Sequence, residues 1–254
     1  MVDRGKFLAA AERPEEQAAA GVPAGSAMPG PLLLMGAPGA GKGTQAKKIM
    51  AVWRIPQIST GDILRDNRAR GTDLGRQAKQ VMDEGKLVPD DLVNRMVAER
   101  LAAPDVARGY ILDGYPRTLG QARWLDELLA GQGAPGGALP VIAVSLAVGY
   151  NQLLRRVTGR RICPTCQRTY NVYLQPPKAD TVCDVDGALL AQRADDAEEV
   201  FHERMRTYEI LTAPVLEHYR QSGRLVEVNG DRSVSGVSAE ILHAVEELRR
   251  QRNS

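Results

Sequence analysis

The stretch Leu32-Leu33-Leu34-Met35-Gly36-Ala37-Pro38-Gly39-Ala40-Gly41-Lys42-Gly43-Thr44 decides the fold. Four apolar residues in a row, ending at glycine, read as a strand buried on both faces. The glycine-rich segment fits G-x-x-x-x-G-K, with Gly43 interposed before the hydroxyl of Thr44. Glycines let backbone N–H groups turn inward and approach phosphate oxygens. A helix is expected to start near Lys42, where its positive end adds to the attraction for anions. Lys42 can reach the β- and γ-phosphates, and Thr44 can help hold a Mg²⁺ shell.

Outward from this loop, short apolar runs recur at Tyr110-Ile111-Leu112, Val141 to Val148 and Leu225 to Val228, with weaker support at Gln57-Ile58. Between them lie helical spacings: Val93, Met96, Val97 and Leu101, then Ile241, Val245 and Leu248. Alternation of strand and helix predicts an α/β chain with a five-stranded parallel sheet covered on both faces. No internal repeat interrupts it.

The 254 residues suit one large domain or two small ones. With 33 basic and 31 acidic side chains the net charge is +2, which argues against a general nucleic-acid binder. Apolar residues make up 43% and aromatics only 4%, so Leu, Val, Ile and Ala must build the core. No apolar run approaches the ~18 residues of a membrane span. Residues 1–30 are rich in Ala, Gly and Pro with scattered charges, and are expected to be a disordered or loosely ordered extension. They lack the apolar stretch of a secretory signal, and their acidic residues weigh against a transit peptide.

Three cysteines fall between 163 and 183. Cys163-Pro164-Thr165-Cys166, then Cys183-Asp184-Val185-Asp186, reads as C-x₂-C-x₁₆-C-x₂-D, the two-knuckle spacing of a structural zinc site. Asp186 is the fourth ligand by spacing, with Asp184 the nearby competitor. Unligated thiols or a Cys163–Cys166 disulfide are the alternatives. An odd, clustered set points to a reducing compartment rather than a secreted disulfide framework.

The loop with its Gly-Thr-Gln ending resembles that of adenylate kinases. The resemblance continues through Ser59-Thr60-Gly61-Asp62-Ile63-Leu64-Arg65, Asp113-Gly114-Tyr115-Pro116-Arg117-Thr118 with Gln121, and Arg193-Ala194-Asp195-Asp196, covering about residues 31–250. It implies a P-loop core (31–58, 89–158 and 197–254), a helical nucleoside-monophosphate subdomain at 59–88, and a small β-rich zinc lid at 159–196. The reaction implied is Mg·ATP + AMP ⇌ 2 ADP, maintaining adenine nucleotide balance in the cytoplasm, by a monomer needing neither nucleic acid nor membrane.

The resemblance also distributes roles. Around ATP it places Gly39, Ala40, Gly41, Lys42, Gly43, Thr44, Arg160, Thr169, Tyr170 and Arg232, the last acting through its backbone. Around AMP it places Thr60, Arg65, Lys86, Leu87, Val88, Gly114, Tyr115, Pro116, Arg117, Gln121, Arg193 and Arg204. Guanidinium groups suit this work because their planar fork grips phosphate. Gln121 has the donor and acceptor an adenine edge requires. Arg156 matches another lid arginine with a catalytic part. Asp113, ending a buried strand, and Asp62 are read as carboxylates orienting Mg²⁺-bound water, although Asp62 also suits a helix cap. Tyr115 stands where Phe is usual, a swap expected to matter little. Asp195 and Asp196 are candidate latches for the lid. Another nucleotide kinase, such as a GTP:AMP or pyrimidine-monophosphate enzyme, is the rival within enzymes. An inactive nucleotide-binding regulator or an RNA-binding zinc module is the rival outside them.

Overall fold

The computed structural model describes residues 29–131 and 139–253, so the extension read at 1–30 lies almost wholly outside the described residues. Five parallel strands form the central sheet: β1 (Gly30–Met35), β2 (Gln57–Ser59), β3 (Gly109–Asp113), β4 (Ile142–Ala147) and a fifth at Leu225–Asn229, in the order β2-β3-β1-β4-fifth. β1 is central and pairs in register with both neighbours, Leu33 facing Leu112 on one side and Ala143 on the other.

The apolar run of β1 is continuous because each face of the sheet needs its alternate residues. Leu32 and Leu34 enter one core with Ile49, Leu153, Phe201 and Ile241. Leu33 and Met35 enter the other with Val97, Leu125 and Tyr219. The first core is closed by α1 (Lys42–Trp53), α6 (Tyr150–Thr158), α7 (Glu198–Thr207) and α9 (Val234–Asn253). The second is closed by α4 (Asp90–Leu101), α5 (Leu119–Gly131) and α8 (Ala213–Gln221). Burying a Leu or Ile side chain contributes ~1.5–3 kcal/mol, so this two-sided burial dominates the stability of the sheet.

Two inserts stand over the carboxyl ends of the strands. The first is a helical pair, α2 (Thr60–Ala69) and α3 (Asp73–Asp83). Ser59 caps α2, its Oγ accepting from the Asp62 N–H at 3.2 Å, and Thr72 caps α3 through the Gly75 N–H at 3.1 Å. The second, between α6 and α7, is built on the antiparallel pair β5 (Arg160–Ile162) and β6 (Thr169–Asn171), which leaves the Leu225–Asn229 strand as β7. Its small core is Cys163, Tyr170 and Cys183. Among the described residues no helix is long and apolar enough to cross a membrane.

Candidate active site

The loop after β1 leads into α1, whose N-cap is Gly41. Lys42 folds back over this loop, its Nζ donating to the carbonyls of Gly36 at 2.8 Å and Ala37 at 3.0 Å. Burial, reinforced by Arg117, Arg204 and Arg160 and opposed by Asp113, lowers the Lys42 pKa to about 8. The acid at the end of β3 faces the same loop: a Cβ on Gly43 would lie 3.6 Å from Asp113 Oδ2. That oxygen accepts from Gln57 Nε2 at 2.9 Å. Burial pushes the Asp113 carboxyl up, and Lys42 and Arg117 pull it back.

Two adjoining cavities open here. One is lined by Gly36, Pro38, Lys42, Arg117 and Arg204. The other is lined by Thr60, Arg65, Lys86, Leu87, Val88 and Gln121, and again by Arg117 and Arg204. Gly114, Leu87 and the two arginines border both. Gly114 has φ +75°, and a Cβ there would lie 2.9 Å from Arg117 Nη2, so only glycine lets this guanidinium tuck under the turn. Arg117 Nε donates to the Gly114 carbonyl at 2.8 Å, and the Thr60 hydroxyl to the same oxygen at 3.0 Å. Tyr115 and Pro116 line the first cavity.

Positive charge accumulates around this junction. Burial and Arg204 lower the Arg117 pKa to about 10. Burial, Arg160 and Arg65 do the same to Arg193, also to about 10. Arg204 is lowered chiefly by burial. Burial also works against Arg160, but the Asp196 carboxylate outweighs it and holds its pKa up. Asp196 is fully buried and takes Arg160 through Nε at 2.7 Å and through Nη2; Asp195 takes Arg204 at 3.1 Å. Guanidiniums whose protons are held less firmly than usual form a site that an anion stabilises.

Several of the sequence-read residues have further partners in the fold. Asp62 is not the cap of α2; Ser59 is, and the Asp62 carboxylate bonds Arg65 at 2.5 Å and faces Arg193 at 3.8 Å. Burial works against that carboxylate, but the arginines outweigh it and lower its pKa. Arg156 lies on α6, which runs on to Thr158; it donates to Gly230 O at 3.0 Å and Ala40 O at 3.5 Å, bracing the loop from behind. Tyr170 points into the small core of the second insert rather than outward. Its hydroxyl accepts from the Asp184 N–H at 2.9 Å and lies 3.4 Å from Cys183 Sγ, and the side chain is buried. Thr169 beside it is exposed. The Arg232 side chain pairs with Glu240 at 2.9 Å and the Lys86 ammonium with Glu84 at 2.8 Å, both exposed. The Tyr115 hydroxyl is not incidental: it donates to Asn94 Oδ1 at 2.6 Å in a partly buried setting. Gln57 and Asp90 were not singled out by sequence, since a lone polar residue at an element's edge carries no pattern.

In the second insert, Cys163, Cys166, Cys183 and Asp186 offer ligand atoms all within 4.8 Å of one another. Cys166 and Cys183 sulfurs lie 3.6 Å apart, and Cys163 Sγ lies 3.2 Å from Asp186 Oδ2. A Zn–S bond of ~2.3 Å sets the edge of a tetrahedron near ~3.8 Å, so donor set and spacing both fit that ion. Asp184 is engaged elsewhere, accepting from the Lys178 N–H at 2.8 Å.

A phosphate loop facing an arginine-lined cavity across shared guanidiniums, on a parallel P-loop sheet, defines a phosphotransferase of the nucleoside-monophosphate kinase class. The family model of adenylate kinases matches residues 34–224. The adenylate kinase of Archaeoglobus fulgidus is 45% identical over 218 residues, 86% of this chain and 99% of the relative. That of Nitrosococcus oceani is 44% identical over 218 residues (85% and 99%), and that of Thermodesulfovibrio yellowstonii 46% over 206 (81% and 94%). The chain belongs to the adenylate kinase family.

Proposed function

We propose that the two cavities divide the reaction Mg·ATP + AMP ⇌ 2 ADP between them, the loop-side cavity taking the donor and the Arg65 cavity the acceptor. The observation that carries this assignment is that Arg117 and Arg204 border both cavities, where a phosphoryl group in transit has its charge. Lys42 and the loop amides grip the donor phosphates. Arg65 and Arg117 grip the acceptor phosphate, and Gln121 meets the acceptor base. Arg160, Arg193 and Arg204 gather around the transferring group. The attacking phosphate oxygen already carries negative charge, so no general base is required. Positioning and charge neutralisation supply the rate.

The family implies Mg²⁺ with ATP. Asp113 beside the loop, the exposed Thr44 hydroxyl and, once released from its arginines, Asp62 are the groups that would hold its water shell. When bound, that ion offsets charge on the phosphates. The Cys₃Asp set of the lid would hold a structural zinc: four protein ligands leave no open position for substrate. Residues 159–196 act as a lid that excludes water, and 59–88 as the acceptor subdomain. One chain carries both cavities, which suits a monomer, and a thiolate metal site suits a reducing cytoplasm. A coupled assay across acceptors tests this reading. AMP should be used far better than CMP, UMP or GMP with Mg·ATP, and equal use of a pyrimidine acceptor would overturn it.

A further inference from the structure

Behind the acceptor cavity, and not lining it, lies a carboxylate with no part in the scheme above. Asp90 opens α4, and its side chain reaches the start of α5. Its Oδ2 accepts from the Thr118 hydroxyl at 2.5 Å, and its Oδ1 accepts from Gln121 Nε2 at 2.8 Å. A Cβ on Gly120 would sit 3.0 Å from Oδ2, so the bare helix turn makes room for the carboxylate. The other end of the Gln121 amide is also held, its Oε1 accepting from the Arg117 N–H at 2.7 Å. Thr118 completes the unit by accepting from the Gln121 N–H at 3.1 Å, which caps α5. Gln121 itself is buried and lines the acceptor cavity.

These anchors differ in polarity. An ionised carboxylate can only accept, and a backbone N–H can only donate. A flipped amide would set carbonyl against carboxylate and NH₂ against N–H, two repulsive contacts in place of two bonds. The glutamine is therefore locked in one orientation, with one Nε2 proton and one Oε1 lone pair left over for a base. That pattern complements adenine, whose N1 accepts and whose exocyclic amine donates. It opposes a 6-oxopurine, whose O6 accepts and whose N1–H donates.

We propose that Asp90 is a specificity-determining positioning residue: by fixing the polarity of the Gln121 amide it makes the acceptor site select 6-aminopurine over 6-oxopurine monophosphates. The proposal rests on the reading that the Gln121 cavity takes the acceptor base. Its probe is inosine monophosphate, which inverts the donor–acceptor pattern at positions 1 and 6 of the ring and adds no 2-amino group.

The experiment measures kcat/KM for AMP and for inosine monophosphate in the wild type, Asp90→Asn, Asp90→Ala and Gln121→Ala, with a thermal melt of each. The wild type should favour AMP at least ~10³-fold, as expected of a site built around a specific polar pattern. Asp90→Asn keeps the shape but can donate as well as accept. It should lower the AMP preference at least about tenfold while melting close to the wild type, with the loss falling on KM more than on kcat. Asp90→Ala should lower the preference at least as far, and decides the question should the asparagine side chain settle in a carboxylate-like orientation. A preference within about twofold of wild type in both Asp90 variants, with Gln121→Ala losing it, would refute the role of Asp90 alone. A preference unchanged in Gln121→Ala as well would refute the base-reading assignment and the proposal with it.

Discussion

Binding of Mg·ATP at alkaline pH should draw a proton from solution, and Lys42 should be the group that takes it. Without nucleotide its ammonium is buried among Arg117, Arg204 and Arg160, which brings its pKa from 10.5 to about 8. That displacement corresponds to ~3 kcal/mol of unfavourable interaction with the charged form. The donor triphosphate carries four negative charges, net two once Mg²⁺ is counted, and its oxygens beside the ammonium reverse the balance and return it towards its ordinary range. At pH 8 the unliganded lysine is about half protonated and the liganded one nearly fully so. Uptake is then ~0.5 proton per ATP, falling to ~0.1 at pH 7. Between pH 8 and 10.5 the unfolded chain binds more protons at this position than the folded one, so this residue's contribution to ligand-free stability rises with pH across that window. Calorimetric titration at pH 8 in two buffers of different ionisation enthalpy measures the uptake directly. Uptake below ~0.1 proton, or equal uptake by Lys42→Met, would refute the reasoning.

Other substitutions test the surrounding structure. Asp196→Asn leaves the mostly buried Arg160 without its nearest countercharge, and should cost ~2–4 kcal/mol, seen as a fall of several degrees in Tm; a loss under ~0.5 kcal/mol would contradict the pairing. Cys163→Ser should drop metal content from about one zinc per chain towards zero and lower Tm, with a smaller loss of kcat. Retention of a full equivalent of zinc in that variant would show the ligand set to be wrong. Tyr115→Phe strands the Asn94 carbonyl and should cost ~1–2 kcal/mol in chemical denaturation; a neutral result would mean that water replaces the hydroxyl.

What could be read from sequence was whatever repeats or is concentrated. Leu32 to Met35 revealed the central strand because both faces of the sheet demand apolar residues there. The glycine loop and the cysteine knuckles were legible because their chemistry requires fixed spacing. Side-chain direction was not. Tyr170 alternates within β6, and only the assembled lid decides that its ring turns towards Cys183. Arg156 looked like part of an arginine cluster until α6 carried it behind the phosphate loop. The polar brace of Asp90, Thr118 and Gln121 joins residues up to 31 positions apart, and no local pattern announces such a contact. Asp62 lost the cap to Ser59 because the chain enters α2 in extended conformation at residue 59, leaving the acid inside the first turn.

On the function proposed above, one chain holds a donor and an acceptor nucleotide at once, with their terminal phosphates meeting at Arg117 and Arg204. Titration with two adenosines joined through a pentaphosphate tests it most directly. One equivalent should bind per chain, at least ~10³-fold tighter than AMP alone, because linked ends bind with a high effective concentration. Two equivalents, or an affinity no better than that of ATP, would contradict the account.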